Sequence, residues 1–274
     1  MVYKRILTVQ DISCIGQCSM TVALPILSAC GHETCILPTA ILSTHTGGFG
    51  KPALRYLSDL AGEAVRHWQE SDIDFDAVYV GYLGSVEAIE AVNSILDHML
   101  APGGKVIVDP AMADHGKLYS GFDEDYAKAM QMLCERADVM IPNITEAAMM
   151  TGMPYREDYD EGYITELLSK LRGRDVVLTG VGYAPTRTGI ATRIDGDIAY
   201  YEHARVGKNY HGTGDMFAAC LVGAWMQDKQ LTEAVRIAGD FTLRCIRNTL
   251  EAPAHWYGVK FETALPWLMG ELFG

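Results

Sequence analysis

Apolar and polar positions along the chain sort into two alternating kinds of segment. Short, almost continuously apolar runs occupy KRILTVQ (4–10), ETCILPT (33–39), DAVYVGYL (76–83), KVIVDP (105–110), ADVMIPN (137–143) and DVVLTGV (175–181). Runs this short and unbroken predict strands covered on both faces. Between them the apolar residues recur three and four positions apart, which predicts helices over 19–30, 51–69, 85–100, 123–137 and 163–173. Pro25 lies inside the first of these and is a candidate kink. Strands alternating with helices imply βαβ units, a largely parallel sheet and helices on both faces.

After residue 185 the pattern changes. GIATRIDGDIAYYEHARV (189–206) alternates and contains Asp195-Gly196, which predicts an antiparallel hairpin closed by a tight turn. Helical periodicity returns at about 213–227, 231–249 and 260–272. No linker, repeat or low-complexity stretch divides the chain, so residues 1–274 read as a single α/β domain. Ligands of such sheets bind beyond the carboxyl ends of the strands. The polar residues falling there are Asp11, Tyr82, Asp109, Asn143 with Glu146, and Thr179.

Composition narrows the function. Apolar residues make up 49% of the chain, enough for a full core. The formal net charge of −13 argues against a nucleic-acid partner. It also requires that any phosphate site be built locally, from backbone N–H groups and a cation. No apolar run approaches the roughly 18 residues of a membrane span, and the N-terminal residues lack the features of a signal peptide. Seven cysteines without a CxxC pair read as reduced thiols of a cytoplasmic protein. The nearest set, Cys14, Cys18, Cys30 and Cys35 with His32 and His45, matches no zinc spacing.

Four segments carry candidate chemistry, and each has a plainer alternative. In HGTGDMFAAC (211–220), Gly212, Thr213 and Gly214 could turn successive N–H groups toward an anion at a helix N-terminus, with Asp215 as a base beside it. The plainer reading is a capped helix start. Asp109-Pro110 with Asp114 is either a turn or a carboxylate pair for magnesium. Asn143-Ile-Thr-Glu146 is either a capping box or an acid that orders metal-bound water. Ser43–Gly50, STHTGGFG, is either a surface loop or a flap over a small substrate. The P-loop, GxGxxG and GxSxG patterns are absent.

Taken together, HGTGD (211–215), STHTGG (43–48), GYLGS (81–85), VDPAMAD (108–114) and PNITEA (142–147) resemble the ribokinase-like superfamily, and within it the pyridoxal/pyridoxamine kinase family. The resemblance spans nearly the whole chain. It implies a ribokinase-like three-layer αβα sandwich with a mostly parallel central sheet. The implied activity is ATP-dependent phosphorylation of the 5′-hydroxymethyl group of a vitamin B6 vitamer. Asp215 would be the general base, and Gly212, Thr213 and Gly214 would stabilise the transferred phosphoryl group. Asp109, Asp114 and Glu146 would organise Mg²⁺, while Asn143, Thr179, Gly212 and Gly214 would hold ATP. Asp11, His45, Thr46 and Tyr82 would embrace the ring. The family also implies a homodimer and often a monovalent cation such as K⁺. One departure bears on substrate: family members commonly carry serine where this chain has Asp11. A carboxylate pairs better with a protonated ring nitrogen or an amine. The related hydroxymethylpyrimidine kinases of thiamine synthesis also carry an Asp near this position. They usually have Cys where this chain has Asp215, so they stand as the alternative, alone or as dual specificity.

Overall fold

The computed structural model describes residues 1–206, 210–252 and 254–274. In chain order its elements are β1 (Arg5–Ser13), α1 (Met20–Ala29), β2 (Glu33–Leu42), β3 (Leu54–Tyr56), α2 (Ser58–Glu70), β4 (Phe75–Val80), α3 (Val86–His98), β5 (Leu100–Val108), β6 (Ala113–Asp114), β7 (Lys117–Leu118), α4 (Glu124–Cys134), β8 (Val139–Met140), α5 (Ile144–Thr151), α6 (Glu161–Lys170), β9 (Asp175–Val181), β10 (Arg187–Ile194), β11 (Asp197–Ala204), α7 (Thr213–Met226), α8 (Leu231–Leu250) and α9 (Leu265–Phe273). All six predicted strand runs are strands. They join β3, β10 and β11 in a nine-stranded sheet of order β11-β10-β9-β8-β5-β4-β1-β2-β3. From β9 to β2 every pairing is parallel; β3 closes one edge antiparallel to β2, and β10 and β11 close the other.

The continuous apolarity of the central strands has the expected cause, since each face carries its own core. Residues such as Leu7, Val78, Val108 and Val176 pack with α2–α6. Their strand neighbours Ile6, Ala77, Ile107 and Val177 pack with α1, α7, α8 and α9. This is the three-layer αβα arrangement. The predicted hairpin is also present: Ile194 pairs with Asp197, and Asp195 and Gly196 both take positive φ, 51° and 90°.

Three elements differ from expectation. The stretch 51–69 is helical only from Ser58, because Leu54–Tyr56 adds a short edge strand. A helix forms over Ile144–Thr151, where only its cap was legible. Residues 113–118, read only as a possible turn or metal loop, fold into the small β6–β7 hairpin. Pro25 lies within α1, which runs through it without interruption.

Two features position the site. In the β1–β2 register Gln10 faces Pro38 but Ile12 faces Ile41, so Asp11 alone opposes Thr39 and Ala40. Such a bulge places the extra residue on β2 and sharpens the local twist beside Asp11. The other feature is α7, buried along nearly its whole length from Met216 to Met226. A helix enclosed on all sides cannot shift without disturbing the core, so its N-terminus is a fixed point.

Candidate active site

The chain reaches the head of α7 through Gly212, which takes φ 75° at the N-cap position. A Cβ built there would lie 2.1 Å from the carbonyl oxygen of Gln17, so only glycine fits both the backbone angle and the space. No side chain caps this helix, and the Thr213 hydroxyl instead donates to the Tyr210 carbonyl at 3.2 Å. The capped-start alternative therefore fails in its simple form. Nothing lies within 4 Å of where a Cβ on Gly214 would be, which leaves that backbone open to the cleft. An uncapped helix N-terminus of this kind, with its dipole, is suited to an anion.

Asp215, in the first turn of α7, keeps some surface toward the cleft while protein encloses its carboxyl. Burial pushes that carboxyl up to about 6. The Ser19 backbone N–H opposes the shift, and the charge of Asp11 adds to it. A carboxyl near 6 is a better base than an ordinary aspartate and is still ionised at neutral pH.

A cleft of about 960 Å³ runs from this point along the strand ends. Its walls include Asp109, Asp114, Asn143, Glu146, Thr179, Gly212, Thr213, Gly214 and Asp215. Thus the structure brings together nine of the residues singled out from sequence. Asn143 and Thr179 meet directly, in a bridge between β8 and β9 whose Thr179 N–H donates to the Pro142 carbonyl.

The acidic side chains differ in how they are engaged. Asn143 and Glu146 do form a capping box. Glu146 goes further: one carboxylate oxygen accepts from the Met112 and Ala113 N–H groups at 2.9 and 3.3 Å, and the other from the Asn143 N–H at 2.9 Å. Asn143 Nδ2 donates to the Ala113 carbonyl, and the Gly116 N–H donates to the Thr145 hydroxyl. The head of α5 is therefore a clamp on residues 112–116. Burial raises the Glu146 carboxyl to about 7, against the three backbone donors. Asp114 is exposed and accepts from the His115 N–H. Asp109 accepts one bond, from the Ala111 N–H at 3.2 Å. Its carboxyl is held well above the usual range by burial, then by Glu146 and Asp215.

Among the described residues no three His, Cys, Asp or Glu side chains converge on one metal position. Asp109, Asp114 and Glu146 share a cleft without forming a cage. The arrangement fits a different mode, in which magnesium keeps its waters and binds one or two carboxylates plus substrate phosphates. Asp109, enclosed among like charges with spare acceptor capacity, suits that role.

The four expected ring residues lie outside the walls of this cleft, on the β1–β2–β4 side of Asp215. Asp11 is buried and accepts from the Ser13 hydroxyl at 2.9 Å. Its charge bears on both Asp215 and Tyr82, so it links the two halves of the site. The Tyr82 ring lies 5.3 Å from Phe122, and its hydroxyl is pushed up to about 12, chiefly by burial. Thr46 is exposed on the 43–50 loop. His45 is buried with both nitrogens engaged: Nε2 donates to the Tyr257 carbonyl at 3.1 Å, and Nδ1 accepts from the Gly47 N–H at 2.9 Å. These partners define a neutral ring that can offer a ligand only its faces. Burial and the neighbouring His211 lower the His45 pKa below the usual imidazole range, against the pull of the Tyr257 carbonyl.

Sequence reasoning missed several residues at this site. The His211 ring lies 4.8 Å from His45, and Trp256, from the far end of the chain, packs at 4.6 Å against Phe49 of the expected flap. The aromatic run His-Trp-Tyr at 255–257 was the available signal. Nothing in the sequence marked Tyr79, a fully buried phenol beneath the strand ends near Asp109 and Asp215.

The chain is similar to known proteins along most of its length. A family model described as phosphomethylpyrimidine kinase matches residues 31–259. The pyridoxine/pyridoxal/pyridoxamine kinase of Bordetella pertussis is 27% identical over 260 residues, covering 90% of each chain. The hydroxymethylpyrimidine/phosphomethylpyrimidine kinase of Bacillus subtilis is 31% identical over 182 residues, 65% of this chain and 66% of the relative. The crystal structure of pyridoxal kinase from Lactobacillus plantarum superposes with a TM-score of 0.90 at 32% identity, covering 98% of this chain and 97% of that one. The α/β architecture is thus the ribokinase-like fold of the pyridoxal kinase structures.

Proposed function

The chain belongs to the phosphomethylpyrimidine kinase family, which includes the pyridoxal kinases, and from that premise we propose that it transfers the γ-phosphoryl group of ATP to the 5′-hydroxymethyl group of a vitamin B6 vitamer. The observation carrying this reading is Asp215, a carboxyl raised to about 6 at the head of a helix whose first residues, Gly212, Thr213 and Gly214, line the same cleft. Phosphoryl transfer needs little covalent chemistry from the protein, only alignment, charge stabilisation and a group to take the hydroxyl proton. In this reading Asp215 accepts that proton. The backbone of Gly212, Thr213 and Gly214 stabilises charge on the transferring group. Asn143 and Thr179 line the nucleotide side, and Asp109 is the protein carboxylate for Mg²⁺. That ion neutralises phosphate charge when bound. Glu146 and Asn143 hold the Asp109–Asp114 segment in place, while Asp114 lies at the cleft edge. Asp11 pairs with a ring nitrogen or amine, and Tyr82, His45 and Thr46 enclose the ring. A single domain over 1–274, a homodimer, K⁺ activation and a cytoplasmic setting complete the proposal. No described helix is long and apolar enough to cross a membrane.

A second reading, phosphorylation of hydroxymethylpyrimidine, is favoured by the family match and by the Bacillus subtilis relative. Asp11 serves either ring. Asp215 favours the pyridine, because the pyrimidine kinases usually carry Cys there.

The Asp215→Asn variant tests the central role. Turnover should fall by about two to four orders of magnitude, the usual contribution of a positioned proton acceptor, while pyridoxal binding measured by absorbance titration stays within a few-fold. A variant that keeps most of its kcat would remove Asp215 from the mechanism.

A further inference from the structure

Gln17 occupies an unusual position for a residue with no role in the chemistry above. Its φ is +42°, in the left-handed region that non-glycine residues rarely adopt. Such backbone persists only where the surroundings hold it. Here three contacts do so. The side-chain carbonyl accepts from His255 Nε2 at 2.8 Å, and the side-chain amide donates to Glu262 at 2.8 Å. Gly258 packs against the Gln17 side chain so closely that a Cβ there would meet Gln17 Cβ at 2.8 Å. The segment 255–262 is thereby fastened to the loop after β1.

Both ends of this fastening reach the site. On one side, the Gln17 backbone carbonyl is the atom that a Cβ on Gly212 would strike, so it abuts the glycine that opens the anion site. On the other, the same C-terminal segment holds the ring-facing loop. The Tyr257 carbonyl accepts from His45, and Trp256 packs on Phe49 and against Gly48. The loop after β1 also holds His45 directly, through the His45 N–H to Ile15 carbonyl bond at 2.9 Å. Gln17 is the one residue among these that touches both the C-terminal segment and the anion-site glycine.

We propose that Gln17 is a positioning residue: its side-chain amide locks the 255–262 segment to the loop after β1, so that the ring-facing loop and the head of α7 hold one fixed separation. A phosphoryl acceptor and a phosphate must be aligned to within fractions of an ångström, and misplacement of about 1 Å costs roughly a hundredfold in rate. The role rests on the phosphoryl-transfer reading above, but its structural half can be tested without turnover.

The Gln17→Gly variant suits the test, because glycine accepts positive φ and the change removes the side-chain ties without straining the backbone. Two quantities are compared with the wild type: kinetic constants, and amide hydrogen exchange along the chain. Loss of alignment should lower kcat about tenfold, with KM for ATP changed less than about twofold. Exchange should quicken at 43–50 and 211–215 as well as at 255–262. His255→Ala cuts the same tie from the other side and should give the same pattern, with the double variant no worse than either single one. Exchange that quickens only at 14–19 and 255–262, or an unchanged kcat, would overturn the proposal. A wild type inactive on every alcohol would instead reject the proposed function, and the exchange pattern alone would then decide the role of Gln17.

Discussion

At the scale of single residues, the site is governed by one glycine and one carboxyl. Gly212 has both a positive φ and a backbone oxygen where its Cβ would go. Gly212→Ala must therefore displace the head of α7 or the loop holding Gln17. We expect kcat to fall about a hundredfold, measured with the best substrate; a variant within twofold of wild type would show that this close approach is not needed. Asp215 makes an opposite pair of predictions for activity and stability. Its folded pKa of about 6 lies above the ordinary 3.8. Only the ionised form can accept a proton, so turnover should drop as pH falls through about 6. The same shift penalises the folded state, fully above about pH 6, and fades as pH falls toward 3.8. Asp215→Asn should then raise Tm at pH 8 by the equivalent of no more than about 3 kcal/mol, with the gain shrinking toward pH 4. A lower Tm at pH 8 would mean that the Ser19 N–H and other contacts outweigh the burial of charge.

At the scale of elements, α5 fixes the metal-side edge of the cleft. Eight residues long, it holds the segment after β5 through Glu146, Asn143 and Thr145. Glu146→Ala would leave two buried N–H groups and one partly buried one without their carboxylate partner and should cost on the order of 2–5 kcal/mol, read by urea unfolding. Unchanged stability would contradict the clamp. In α7, Gly223 sits where a Cβ would meet Cys30 Sγ at 2.4 Å. Gly223→Ala should therefore lower stability by about 1–3 kcal/mol despite alanine's better helix propensity. Much of this level was legible in the chain. The six strand runs, the Asp195-Gly196 hairpin and the capping pair at 143–146 are local signals that the folded chain preserves. What was not legible depends on tertiary contact. Leu54–Tyr56 is a strand because the edge of β2 is open beside it. The full engagement of Glu146 depends on a loop about 30 residues earlier in the chain. The meeting of His45 with Tyr257 and of Gln17 with His255 joins segments over 200 residues apart, and no periodicity encodes it.

At the scale of the molecule, a chain of net charge −13 binds its proposed polyanionic substrate against its own field. Among the described residues, local relief in the cleft comes from the head of α7 and from Arg205 on its wall. Screening should therefore help ATP approach. We expect kcat/KM for ATP at saturating Mg²⁺ to rise between about 20 and 150 mM salt; a fall would show that the cleft's own positive groups dominate steering. The central claim is that this molecule phosphorylates the hydroxymethyl group of a B6 ring. ATP consumption with Mg²⁺, measured side by side on pyridoxal, pyridoxamine, pyridoxine and hydroxymethylpyrimidine, tests it most directly. Turnover is expected on at least one pyridine, with pyridoxamine favoured where Asp11 pairs with the amine. Turnover on the pyrimidine alone, or on none of the four, would contradict it.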